Sequence, residues 1–443
     1  MDGGRRRLLR GAALMPLAVG AVTAATAATA DVPDLPDLPD LPDLPEAPAG
    51  RSPAQLAGDE AYWAAVAAQY DLGDEVVMLD NGYWGAMARP VLQAYTQATA
   101  EVNRGNAWFG RVAFPQRMRE VQRQLAGFLG VGEDEVVLTR GATEALQALI
   151  GGYNRLRPGD QVLYADIDYD STITAMRWLR ARRGVEPVAI ALPEPCGHAQ
   201  VLETYAQALQ RNPRLKLMLL TQVNHRNGML LPVAEIAAMA RARGVDVIVD
   251  AAHAIGQVET RIDALGADFA GINLHKWIGA PVGVGAMYVR RGRVADIDPY
   301  MGDPDRGIAS RVHTGTANFA AFLALPAALA FHQRIGTAAK RARLLRLRDH
   351  WRDAVRALPG LQLLGPDEPR LSSAIASFRL AGQVTLEQNI GVARRLLEEH
   401  GVFTVHRDGL AHGACVRVTP GIFTAPAQMD RLVAGLRRLA GAA

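Results

Sequence analysis

The chain has 443 residues, 49% hydrophobic and 21% charged, a composition that excludes general disorder and a length that calls for two lobes. Two cysteines exclude a disulfide scaffold and a multi-cysteine metal site. The formal charge of +3 divides into about +3 on residues 1–30, about −5 on 31–51 and about +5 on the rest, and no basic block in the body offers a nucleic-acid surface.

Residues 1–30 open MDGGRRRLLRG, continue as the weakly apolar AALMPLAVGAVTAATAATA and end on Ala28-Thr29-Ala30, a small-residue cleavage site. That layout predicts an export signal. The run Arg5-Arg6-Arg7-Leu8-Leu9-Arg10 resembles the twin-arginine type, with Gly4 and Leu8 where serine and phenylalanine are common. Passage through the twin-arginine translocation machinery to a periplasmic or extracellular location is the expectation. The stretch is too rich in Ala and Thr to hold a bilayer firmly as an anchor. Residues 31–51 carry the repeat PDLPDLPDLPDL, in which a proline every third residue favours an extended spacer.

An N-terminal segment over 52–110 reads as a helix in AQLAGDEAYWAAVAAQY and a second from Pro90 to Glu101. From 111 to 325 the pattern is βαβ. The strands are EVVLT, QVLYA, LKLMLLTQV, VDVIVD, ADFAGINLHKW and VGAMYVRRG, and the helices between them include ATEALQALIGGY, TITAMRWLRARRG and AEIAAMARARG. Strands apolar throughout and separated by helices predict an α/β domain, a mainly parallel sheet with helices on both faces. Residues 326–443 read as a smaller α+β lobe, opened by the Arg-rich helix AAKRARLLRLRDHWRDAVRAL and closed by AQMDRLVAGLRRLAG.

Ligands in such sheets bind beyond the carboxyl ends of the strands, and three segments put polar residues there. Thr139-Arg140-Gly141-Ala142-Thr143-Glu144 is a strand-to-helix junction that can cradle an anion. Asp250 ends an apolar strand, where a carboxylate needs a partner. Lys276 follows the next strand, and the whole chain has only two other lysines, Lys216 and Lys340. Lys216, in an RNPRLK turn, and Lys340, in the Arg-rich helix, read as solvated charges. An amine, an acid and an anion cradle are the three groups that pyridoxal phosphate requires: a Schiff-base partner, a partner for the pyridine nitrogen and a phosphate site.

From about residue 75 to the end the chain resembles the aminotransferase class V family of fold-type I pyridoxal phosphate enzymes, and within it the isopenicillin N epimerase-like branch. The motifs are LDNGYWGAMARPVLQAY, TRGATEAL, VDAAHAIGQV, LHKWIGAPVGVGAMYVR, HTGTANFAAFLAL and RVTPGIFTAPAQMDRL, in family order. The resemblance implies that Lys276 is the Schiff-base lysine, that Asp250 partners the ring nitrogen, and that His253 lies near the ring hydroxyl. It implies phosphate contacts from Ala142, Thr143, Asn273 and His275, and from Thr316 of the second subunit of a homodimer. Tyr169 falls where the family stacks a ring on the cofactor, and Arg417 where it holds the substrate carboxylate. His225 falls where an asparagine is common, so either His225 or Asn224 makes that contact.

The small-molecule substrate is expected to be an amino acid or small peptide that reacts at its α-carbon. Epimerisation, transamination and C–S or β-elimination begin alike there, and residue types do not separate them. Cysteine desulfurase chemistry is disfavoured, because Cys415 falls into the strand before Arg417 and Cys196 lies in a distant loop. A non-catalytic exported binding protein on the same fold is the alternative from another class, opposed by the intact Lys276, Asp250 and Arg417. A nicotinamide dehydrogenase is weaker, since the glycines from Gly279 to Gly285 lack the spacing and the following helix. Trp84, Trp108 and Phe109 are candidates for the cavity entrance and equally for the core.

Overall fold

The structure, a computed structural model, describes residues 44–48, 50–312 and 315–441. The export signal, residues 31–43 and 49 of the spacer, and His313 and Thr314 lie outside the described residues.

The helix expected from AQLAGDEAYWAAVAAQY is two helices, α1 (Pro53–Ala57) and α2 (Glu60–Ala67). Gly58 ends the first, and Asp59 caps the second by accepting the Tyr62 N–H at 3.1 Å. A short strand β1 (Val77–Met78) precedes α3 (Arg89–Trp108), which is longer than the Pro90–Glu101 expectation. It passes through one π-helical turn, Phe109–Ala113, into α4 (Phe114–Leu129). The expectation of βαβ structure directly after Arg111 is therefore corrected. α4 buries only Arg117 and the stripe Val121, Leu125, Ala126 and Leu129, and its other positions are mostly Arg, Gln and Glu that mute the apolar period.

The large sheet contains β2 (Val136–Thr139), β3 (Gln161–Ala165), β4 (Glu186–Ile190), β5 (Leu215–Thr221), β6 (Asp246–Asp250), β7 (Phe269–Asn273) and β8 (Gly285–Val289). Their order is β2-β8-β7-β6-β5-β3-β4, and only β8 runs against its neighbours. The connecting helices are α5 (Ala142–Gly152), α6 (Asp170–Arg183), α7 (His198–Arg211) and α8 (Val233–Arg241). All five residues of β7 are buried, as a strand covered on both faces requires. β4 and α7 were not expected. β4 is an edge strand with no fully buried residue and a proline at position 187, so it lacks the apolar run that marks the central strands.

After the large sheet come α9 (Phe319–Leu323), α10 (Leu325–Ile335), α11 (Thr337–Val355), β9 (Leu361–Leu364), β10 (Ala376–Leu380), α12 (Leu386–His400), β11 (Val402–Phe403), β12 (Val405–Arg407), β13 (Cys415–Val418) and α13 (Pro426–Gly441). The antiparallel sheet β12-β13-β10-β9 packs Phe378 and Val416 on Trp351 of α11 and Leu436 of α13. Val77 and Leu79, from before the large sheet, complete this core, and β1 pairs parallel with β11. The pairing brings Asp80 to Thr419, just beyond β13. Among the described residues no single helix is long and apolar enough to cross a membrane.

Candidate active site

The parallel strands of the large sheet present their carboxyl ends at one edge. Gly141 follows β2, Tyr169 follows β3, His225 follows β5, Asp250 ends β6 and Lys276 follows β7. These ends line a cavity of about 960 Å³. Nine residues singled out from the sequence line it: Ala142, Thr143, Tyr169, His225, Asp250, His253, Asn273, His275 and Lys276. Arg417 and Thr316 are not among its lining residues.

Lys276 lies on the reversal between β7 and the antiparallel β8. Its main chain is held by backbone. The Gly85 N–H donates to the His275 carbonyl at 2.8 Å, and a Cβ on Gly85 would fall 2.0 Å from the Lys276 oxygen. A Cβ on Gly256 would come within 2.8 Å of the Trp277 carbonyl carbon. Both approaches are too close for any side chain, so glycine there serves the lysine turn.

The Lys276 amine lies 3.0 Å from His253 Nε2. Burial disfavours its charge and brings it down to about 7, against the pull of the Asp250 carboxylate. Burial, reinforced by Lys276, also holds His253 well below the usual imidazole range, so the ring is neutral. The Trp277 indole N–H donates to His253 Nδ1 at 3.4 Å. An indole only donates, so Nδ1 offers its lone pair and Nε2 carries the ring proton toward the lone pair of a neutral Lys276 amine; the hydrogen-bond network assigns this tautomer.

Asp250 is buried, and its Oδ1 accepts the Ala252 N–H at 2.9 Å. Burial raises its pKa, while that N–H and the Lys276 charge oppose the rise. Asn273 Oδ1 accepts the Ala142 N–H at 2.7 Å and so ties the end of β7 to the first turn of α5. The next two N–H groups, of Thr143 and Glu144, have no acceptor among the described residues, which is the donor arrangement an anion needs. His275 Nδ1 donates to the Val284 carbonyl at 3.0 Å, and burial lowers its imidazole to about 4.

Tyr169 stands edge-on to His225, ring centres 5.2 Å apart. His225 and Asn224 differ in their hydrogen bonding. Asn224 donates to the Ile167 carbonyl at 2.5 Å and accepts the N–H groups of Arg226 at 2.8 Å and Asn227 at 2.9 Å, so its amide is consumed by the turn. His225 lines the cavity, and its buried Nδ1 has no partner among the described residues.

One reading changes and two gain detail. Lys340 is buried, and its amine donates to the Trp277 carbonyl instead of standing in solvent. Tyr83 lines the cavity, whereas Trp84, Trp108 and Phe109 do not, and Phe109 is a core residue at 2% exposure. Arg417 is bound within the chain. Its Nη2 meets Asp80 Oδ1 at 2.5 Å and its Nη1 donates to the His225 carbonyl at 3.0 Å. Sequence reasoning missed Asp80, although it lies inside the quoted LDNGYWGAM motif. It also missed Arg407, whose buried Nε has no partner among the described residues and which burial and the neighbouring Arg417 lower to about 10. Replacing Arg417 by Lys cannot bridge both Asp80 and His225. Loss of one such charge-assisted bond costs about 1.5 kcal/mol of stability, so a lower melting temperature is expected in thermal denaturation.

The residues present fit pyridoxal phosphate. The unpartnered His225 nitrogen, the free N–H groups at α5, the Asp250 carboxylate and the Lys276 amine are the ring contact, phosphate donors, acid and amine that it needs. With this sheet beneath them they define a fold-type I pyridoxal phosphate enzyme. The chain belongs to the aminotransferase class V family, whose model matches residues 86–403. It is 29% identical over 406 residues to an isopenicillin N epimerase of Streptomyces clavuligerus, across 86% of this chain and 99% of that protein. It is 28% identical over 393 residues to a cysteine desulfurase of Klebsiella pneumoniae, across 83% and 94%. A cysteine desulfurase of Thermococcus onnurineus shares the fold with a TM-score of 0.74 at 20% identity, over 85% of this chain and 98% of the other. The expected family, fold class and cofactor are the ones found.

Proposed function

We propose that the chain is an exported pyridoxal phosphate enzyme that acts at the α-carbon of an amino acid or small peptide, by epimerisation or transamination. The observation that carries this reading is the Lys276 amine, set 3.0 Å from a neutral His253 at the edge of a cavity of about 960 Å³. Pyridoxal phosphate, when bound, supplies an electron sink for a carbon that loses its proton. Lys276 would attach it and, when its amine is free, take or return that proton; a value near 7 suits both duties. His253 orients the amine, Asp250 would hold the ring nitrogen, and the Thr143 N–H would hold the phosphate. Arg417 would hold the substrate carboxylate, in competition with Asp80.

Similarity to an isopenicillin N epimerase supports inversion, and similarity to a cysteine desulfurase at almost equal identity supports a second reading, a C–S or β-elimination lyase. A route through a protein thiol has less support. Cys196 and Cys415 are both buried, burial pushes both thiols up to about 11, and neither lines the cavity. The test is a panel of amino acids and small peptides with purified protein, scored separately for D/L inversion, keto-acid release and sulfide release. Release of sulfide, ammonia and keto acid together, without inversion and without any added amino acceptor, would replace the first reading by the second, because elimination of sulfide leaves an enamine that hydrolyses to keto acid and ammonia.

Export rests on the basic run from Arg5 to Arg7. Replacing all three by lysine keeps the charge but removes the guanidinium pair, so precursor should accumulate in the cytoplasm in a fractionation experiment. Unchanged appearance of mature protein outside would point to another route. A homodimer is part of the same proposal. Thr316 is exposed and does not line the cavity of its own chain, as a residue serving a second subunit would be placed.

A further inference from the structure

We infer that Lys340 is a positioning residue, which acts through Trp277 on the His253–Lys276 pair. This rests on Lys276 as the cofactor-attachment residue.

Lys340 sits in the first turn of α11, fully enclosed, with no carboxylate in ion-pair range among the described residues. Its amine meets two acceptors. One is the carbonyl of Trp277, the residue after Lys276, and the other is His332 Nδ1 at 3.5 Å. His332 is itself buried and neutral, and its Nε2 lies 2.9 Å from Thr337 Oγ1. With Nε2 donating to that hydroxyl, Nδ1 is free to accept from Lys340. A buried amine with two acceptors and no counter-charge is a poor choice for stability alone, since an apolar side chain of the same length would avoid its desolvation. What the amine does is fix a main-chain carbonyl.

That carbonyl belongs to the residue whose side chain sets the His253 tautomer. Lys340 grips Trp277 by its backbone, the Trp277 indole donates to His253 Nδ1, and His253 Nε2 faces the Lys276 amine. The Gly85 and Gly256 contacts confine the same turn from two other directions. The chain of contacts favours the neutral Lys276 amine, because Nε2–H donates to its lone pair. If the indole shifts, His253 can move its proton to Nδ1 and present Nε2 as an acceptor, which suits the ammonium equally well. The charged groups that act on Lys276, namely Asp250, Arg417, Arg407 and Asp80, stay in place.

The experiment is a double-mutant cycle of Lys340→Met and Trp277→Phe in the full-length chain. It reads the pH midpoint of covalent pyridoxal phosphate capture by visible absorbance, with borohydride trapping and peptide mapping of the modified lysine. Each single variant should move the midpoint upward from about 7, by about one pH unit. The double variant should move it no further than Trp277→Phe alone, because Lys340 acts only through that residue. Additive shifts would mean that Lys340 acts directly by its charge, and an unmoved midpoint in either folded single variant would remove the role; both overturn the inference. If Lys340→Met does not fold, Trp277→Phe decides by itself: an upward shift supports the chain of contacts, and none overturns it. Capture that maps to a lysine other than 276 overturns the attachment assignment instead, so the two failures are distinguishable.

Discussion

Lys276→Ala is expected to abolish covalent, borohydride-reducible attachment of pyridoxal phosphate, and with it activity in every assay of the substrate panel. The other two lysines cannot replace it. Lys216 is an exposed residue of β5, and Lys340, although one residue away through the Trp277 carbonyl, has its amine enclosed between that carbonyl and His332 and does not line the cavity. The pH dependence of capture by the wild-type chain is a second readout. A neutral amine is the nucleophile, and burial lowers Lys276 to about 7 by disfavouring its charge. The capture rate should therefore rise as pH increases through about 7 and level off above it, whereas an exposed lysine would still be gaining reactivity toward pH of about 10. Reducible attachment in Lys276→Ala, or a wild-type rate still climbing at alkaline pH, would contradict the assignment.

The parts of the site at strand ends were legible because the chain punctuates them. VDVIVD and ADFAGIN are apolar runs that stop on a polar residue, and an acid or a lysine there has to be accounted for by chemistry or by a partner. Lys340 was illegible for the opposite reason. It lies among arginines in α11, and that helix does not show its buried face as an apolar stripe. Arg343, Arg348 and Arg352 are buried too, paired with Glu60, the Ser373 carbonyl and Asp367. Where long cationic side chains are paired across elements, sequence polarity no longer reports exposure. The same limit hid Asp80. Its role exists only because β1 pairs with β11 and brings it to Arg417, 337 positions later in the chain. β4 and α7 were lost through weak burial contrast, and α4 through its continuity with α3 across the π-helical turn.

Asp250→Asn is expected to leave the cofactor bound and remove most of the turnover. Asparagine keeps the shape, and its side-chain oxygen can still accept the Ala252 N–H that now meets Asp250 at 2.9 Å, so the end of β6 should hold its conformation. What is lost is a negative charge in a buried place, where it is worth far more than in water. That charge would keep the ring nitrogen of pyridoxal phosphate protonated, which matters when the reacting carbon becomes electron-rich and hardly matters for binding. Turnover should fall by roughly a hundredfold or more, about 2.7 kcal/mol of barrier, with cofactor content unchanged by absorbance. The charge has a second target inside the chain. Asp250 pulls the Lys276 amine upward against burial, so its removal should move the pH midpoint of cofactor capture below about 7. The two readouts separate two explanations of a slow variant. A lower midpoint with intact cofactor content and lost turnover places Asp250 beside both the amine and the ring. Turnover within a few-fold of wild type would mean that the chemistry does not draw electrons into the ring, and the α-carbon reactions proposed for this site would have to be given up.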